Sequence, residues 1–91
     1  MTMQQNITFE MLEKMAMDEL ASALETSKNV SLYGEKVDYH NTVFDLGVFF
    51  GIVNIMEKYE FEKFVDFWQR AKSDVIMVEN NIENFYRGMK Q

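Results

Sequence analysis

The residues best suited to chemistry lie around His40, which is the only histidine of the chain. Asp38 and Asp45 flank it, and a histidine near carboxylates is a common arrangement for proton transfer or for binding a metal ion. The same residue types are also frequent at the start of a helix, where polar side chains cap free backbone amides. We favour this second interpretation, which predicts a surface or capping histidine and no catalytic residue.

A second group of carboxylates, Glu57, Glu60 and Glu62, falls at the junction of two predicted helices. A helical metal-dependent enzyme places acidic side chains three or four residues apart, so that they point into one groove. The spacing here does not put all three on one helical face, and a charged face exposed to water is the favoured interpretation. A helical metal enzyme that uses His40 and carboxylates is kept as an alternative that the sequence disfavours.

Motifs of the common enzyme classes and of helix-turn-helix DNA-binding proteins are missing from the sequence. It contains no cysteine, no glycine-rich phosphate loop and no basic recognition helix. The lack of cysteine excludes disulfides, thiol nucleophiles and the usual structural zinc sites. We therefore expect no enzyme activity, no cofactor and no bound metal ion.

The apolar periodicity predicts an all-α fold in a single helical domain covering residues 1–91. The expected architecture is a small three-helix bundle with a long C-terminal amphipathic helix. Thr8 and Thr42 have the residue type and the position expected of N-caps. The three predicted helices occupy residues 8–28, 41–58 and 60–88. An irregular connector between the first two occupies residues 29–40.

The second predicted helix is apolar in nearly every direction, which is typical of a helix buried on all sides. Its Gly47 and Gly51 lie one turn apart on one face, a spacing that lets another helix approach closely. We expect this helix to pair with the third in an antiparallel hairpin at the heart of the bundle, with a tight turn at 58–60.

The third predicted helix carries a seam of apolar residues from Phe61 to Met89, at alternating steps of three and four. This is the heptad pattern of a coiled coil. A chain of 91 residues buries only roughly 60 % of its unfolded surface, so association is a reasonable source of extra stability. We therefore predict a homodimer built on this seam. The candidate interaction residues are Phe67, Val75, Val78, Ile82, Phe85 and Met89.

The formal net charge of −6 argues against direct contact with nucleic acid, because phosphates repel an acidic surface. The N-terminal residues lack the features of a targeting signal, and the most apolar stretch is too short to cross a membrane. These features predict a cytoplasmic protein with no membrane contact. The composition suits small proteins of bacteria and phages.

The favoured function is a small acidic protein–protein interaction module: an adaptor, inhibitor or regulatory subunit that acts through apolar helix faces. The identity of its protein partner is open. The alternative is an acidic, nucleic-acid-mimicking inhibitor of phage or mobile-element type. Its candidate carboxylates are Glu10, Glu13, Asp18, Glu19 and Glu25.

Overall fold

The computed structural model describes residues 6–33 and 36–89, nearly all of them in three helices. The helices are α1 (Phe9–Tyr33), α2 (Lys36–Tyr59) and α3 (Phe61–Met89). They pack against one another around a common apolar core, which confirms the predicted all-α three-helix bundle. α2 runs antiparallel to the other two helices.

Local hydrogen bonds define two of the helix boundaries. The Thr8 hydroxyl accepts a hydrogen bond of 3.2 Å from the backbone amide of Met11, so Thr8 is the N-cap of α1 as predicted. Only Glu60 separates α2 from α3. Its amide donates to the carbonyl of Met56 at 3.1 Å, and its own carbonyl accepts from Phe64 at 3.0 Å. The reversal between α2 and α3 is therefore as tight as expected.

The prediction of an irregular connector at 29–40 is wrong. α1 continues to Tyr33 and α2 already begins at Lys36, while residues 34 and 35 lie outside the described residues. Contacts with the rest of the bundle explain the extra helical turns: Val30 is buried, and Tyr39 stacks on a ring of α3. Such packing outweighs weak local helix propensity. Thr42 is consequently an interior residue of α2 and not its N-cap.

α1 is the helix that the other two share. It contacts both α2 and α3 extensively, whereas α2 and α3 contact each other much less. The expected α2–α3 hairpin is therefore not the heart of the bundle. Small side chains explain this role, because the fully buried Ala16 and Ala23 allow neighbouring helices to approach α1 closely. The largest fully buried side chains around them are Leu20, Phe49, Met56 and Phe67.

Hydrogen bonds between partly buried polar side chains fix the alignment of the helices near the C-terminal end of α1. The hydroxyls of Thr42 and Thr26 lie 2.7 Å apart and join α2 to α1. The Asn81 amide donates to the Ser27 hydroxyl at 3.0 Å and joins α3 to α1. Among the described residues, every buried side-chain nitrogen and oxygen has a hydrogen-bond partner. A shift of one helix along another would break these pairs and leave polar groups unsatisfied.

The bundle is elongated, and much of its apolar surface is uncovered. The Cα radius of gyration is 15.3 Å, compared with about 12 Å for a compact domain of this length. The described residues include 14 buried hydrophobic residues and 15 large hydrophobic residues that are exposed. Three of the buried residues are alanines, so the described part of the fold presents more large apolar side chains to solvent than it places in its core.

Substitution of Phe67 by Ala tests the position of the core. Phe67 is fully buried against Phe49, so we expect a loss of about 3–5 kcal/mol in the free energy of unfolding. Chemical denaturation followed by circular dichroism measures this change. The control is Val65→Ala, because Val65 is exposed on α3 and its truncation should change stability by less than about 0.5 kcal/mol. Equal effects of the two substitutions would contradict the core described here.

Candidate interaction surface

Several of the predicted interaction residues of α3 lie in the core of the bundle. Phe67, Val75 and Val78 are buried in the apolar cluster, so the expectation that they form a surface for another chain is wrong. The physical reason is that α1 and α2 cover this part of the seam. Substitution of Val78 by a charged residue would therefore disrupt the fold and would not selectively separate a dimer.

The remaining predicted residues lie near the C-terminal end of α3. Ile82 is half-buried and packs against the core, and Phe85 is half-buried with its ring stacked on Tyr39 of α2 at a centroid distance of 5.0 Å. The side chain of Met89 lies outside the described residues. The seam from Phe61 to Phe85 is thus used mainly inside the bundle.

The surface that the fold leaves without a cover belongs to α2. The expectation that α2 is buried all round is wrong: one side carries buried residues and the opposite side is exposed. We call the exposed side the outer face of α2. It is formed by Val37, Val43, Phe44, Gly47, Phe50, Gly51, Ile55 and Tyr59.

Phe44 and the two glycines determine the shape of the outer face. Phe44 is 69 % exposed, the highest value among the large apolar side chains described. Gly47 and Gly51 are also exposed, and a Cβ atom added at either position would meet no heavy atom within 4 Å. Residues three, four and seven positions apart share one side of a helix, so the aromatic ring and the glycines lie along the same line. The outer face thus combines a protruding ring with an open groove.

The central stretch of the outer face is free of charge, and the exposed Glu57 and Lys58 stand at its C-terminal end. From Tyr39 to Met56, a length of roughly 27 Å, Asp45 is the one Asp, Glu, Lys or Arg residue. Asp45 points toward α1, where it accepts a hydrogen bond of 2.7 Å from the Ser22 hydroxyl. In a chain with a net charge of −6, such a neutral stretch is a local exception.

Exposed methionines of α1 border this surface. Met11 and Met15 are about half exposed and lie on the same side of α1 as Ser22, which contacts α2. Hydrogen bonds from Tyr59 to Ile7 and from Ser22 to Asp45 place them beside the C-terminal half of α2. Methionine adapts its shape to irregular partners, which suits the edge of a contact surface.

Charged residues gather elsewhere, in a cleft between the N-terminal halves of α1 and α3. Lys63 forms ion pairs with Glu10 at 3.2 Å and Glu60 at 3.4 Å, and Arg70 pairs with Glu13 and Asp66. Lys63 also lies 5.9 Å from the centre of the Phe9 ring. Four carboxylates meet two basic side chains there, so the cleft keeps a net negative charge while its ion pairs join α1 to α3.

The ion pair between Lys63 and Glu10 shifts the pKa of both groups. The pKa of Glu10 is lowered, first by a hydrogen bond from its own backbone amide and then by Lys63. The pKa of Lys63 is raised, mainly by its hydrogen bond to Glu10. Both side chains are at least half exposed to solvent, and screening by water and salt keeps the stabilisation small.

His40, the candidate residue for proton transfer or metal binding, is exposed at the N-terminal part of α2. Its ring contacts the edge of Tyr39 at a centroid distance of 5.6 Å. Within residues 6–33 and 36–89, no three His, Asp or Glu side chains are grouped closely enough to hold a metal ion. The carboxylates Glu57, Glu60 and Glu62 are exposed at the α2–α3 turn; Glu60 pairs with Lys63, and Glu62 lines the same cleft.

Comparisons with family models, curated proteins and solved structures give no match to this chain. The structural features therefore carry the functional argument by themselves. In the part of the chain that the structure describes, no helix is both long and apolar enough to traverse a lipid bilayer.

Substitution of Glu10 by Gln tests the ion-pair cleft through its pH dependence. A carboxylate with a lowered pKa stabilises the fold fully above its ordinary pKa of 4.5, and this contribution is lost as pH falls through the lowered value. The native chain should therefore melt at a slightly higher temperature than Glu10→Gln at pH 7, and the difference should vanish near pH 2.

Thermal denaturation at several pH values measures this difference, with Glu25→Gln as the control. Among the described residues Glu25 has no ion-pair partner, so its substitution should leave the melting temperature nearly unchanged between pH 5 and pH 7. A difference for Glu10→Gln that grows as the pH falls from 5 to 2 would contradict the assigned role.

Proposed function

We propose that this chain is a protein–protein interaction module that binds through the outer face of α2. One observation carries the proposal: an apolar, uncharged helix face remains exposed along most of α2. At about 200 Å² for a fully exposed large side chain, the exposed fractions on this face correspond to roughly 650 Å² per chain. Apolar patches of this size on soluble proteins are often binding sites.

The composition of the outer face supports protein binding. The centres of protein interfaces are depleted in charged residues and enriched in aromatic residues and methionine. Phe44 provides a protruding aromatic anchor at the centre of the face, and Met11 and Met15 contribute to its border. The exposed Asn41 and Asn54 add hydrogen-bonding groups to this side of α2, and Asn54 lies in line with Gly47, seven residues before it.

An adaptor, inhibitor or regulatory subunit acts by such contacts and requires no catalytic group, so we propose that the chain is not an enzyme. Catalysis needs activated groups held close together. His40 contacts the Tyr39 ring, and the carboxylates of Glu10 and Glu13 are held by basic side chains. These arrangements serve packing and helix association.

The proposal places the protein in the cytoplasm, bound to another protein chain and without direct contact with nucleic acid. The absence of cysteine fits a reducing compartment, and a net charge of −6 disfavours an approach to phosphates. The alternative of nucleic-acid mimicry depends on unpaired negative charge on α1. Glu10, Glu13 and Asp18 each form an ion pair with a lysine or an arginine, which weakens its electrostatic basis.

A photo-crosslinking amino acid at position 44 tests the proposed function inside cells of the source organism. Phe44 tolerates replacement because its side chain is largely exposed, and we expect light-dependent adducts to another protein chain, identified by mass spectrometry. The matched control carries the same group in place of Ile76, which is exposed on α3. Adducts from position 76 but none from position 44 would contradict binding through α2.

A further inference from the structure

We infer that the occupant of the outer face of α2 is a second copy of this chain, in an antiparallel pairing of the two α2 helices. The inference rests on the proposed function and adds the identity of the partner. In a two-fold symmetric dimer the same surface serves both chains, so that surface must complement itself. The outer face meets this condition in shape, charge and area.

Shape complementarity comes from Phe44 and Gly51, which lie seven residues apart on the same side of α2. Phe44 projects into solvent, whereas Gly51 has open space where a side chain would stand. If two α2 helices cross in antiparallel orientation near Gly47, the Phe44 ring of each chain lies over Gly51 of the other. One face thus supplies both a projecting side chain and the cavity that receives it.

The distribution of charge permits a second copy to bind at the outer face. Two chains with a net charge of −6 repel each other, and the outer face of α2 is where they can meet without opposing carboxylates. Interfaces that select a different protein usually do so with complementary charges. The one charged residue between Tyr39 and Met56 is Asp45, which is engaged with Ser22 of α1. Few charges therefore remain there to select a foreign partner.

The area of the outer face matches the requirement of a dimer. A stable interface of standard size buries about 800 Å² per partner. The apolar residues of α2 supply roughly 650 Å² of this area. The exposed Asn41 and Asn54 on this side of α2 and the half-exposed Met11 and Met15 at its border can supply the remainder. Pairing would also compensate for the elongated shape of the single bundle, whose radius of gyration is 15.3 Å.

Analytical ultracentrifugation of the purified chain between 1 and 200 µM provides the first test. We expect a reversible dimer, and we expect Phe44→Glu to raise its dissociation constant at least about thirtyfold, as loss of a central aromatic anchor does. The matched control is Ile76→Glu, which adds the same charge at an exposed position of α3 and should leave the dissociation constant within about threefold.

Substitution of Gly51 by Leu separates dimerisation from folding. The added side chain meets open space in the single chain and improves helix propensity, so the melting temperature of the monomer should rise. The same side chain fills the cavity for Phe44, and the dimer should be lost. The control Gly88→Ala also adds a side chain in open space on a helix, but on α3 and outside the outer face of α2, and should leave the dimer intact.

The outcomes distinguish this inference from the proposed function. A monomer at 200 µM, or a dimer that persists in both Phe44→Glu and Gly51→Leu, would overturn the pairing of α2 helices. If such a chain still forms adducts from position 44 with a different protein in cells, the proposed function stands and only its partner changes. A monomer with no adducts from position 44 would overturn both.

Discussion

The packing of α1 against both other helices is the interaction on which the rest of the structure depends. Small, fully buried side chains such as Ala16 and Ala23 let the neighbouring helices approach α1 closely. Because α1 is shared, α2 uses one side to contact the bundle, and its contact with α3 is limited. The exposure of the opposite side of α2 is therefore a direct consequence of how the core is built.

The polar and charged contacts maintain this arrangement, and the apolar surface it leaves open is the binding surface that we propose. The Thr26–Thr42 and Ser27–Asn81 pairs align the helices at one end, and the ion pairs of Lys63 and Arg70 hold α1 to α3 at the other. The Thr26–Thr42 hydrogen bond resists sliding or rotation of α2 against α1, and the other pairs keep α3 in place beside α1. The outer face is thus held in one position by the fold, as a preorganised binding surface would require.

The sequence predicts the number and type of the helices because their apolar spacing is regular, and it identifies Thr8 as a cap. It does not predict which apolar side chains remain exposed. Phe67 and Phe44 are the same residue type within helices, yet one is fully buried and the other is 69 % exposed. Periodicity along α2 was uninformative because apolar residues surround the axis, and only the positions of α1 and α3 determine the uncovered side. The helical turns at 29–33 and 36–40 were missed for a similar reason, since distant contacts of Val30 and Tyr39 stabilise them.

An intermolecular distance tests the central claim most directly. The chain contains no cysteine, so a spin label on Lys58→Cys or Asn41→Cys is unique to each copy. Antiparallel α2 helices that cross near Gly47 predict pulsed-EPR distances of about 35 Å between the labels at position 58 and about 20 Å between those at position 41, from a rise of about 1.5 Å per residue. Short and equal distances at both positions, or no intermolecular distance at all, would contradict the antiparallel pairing.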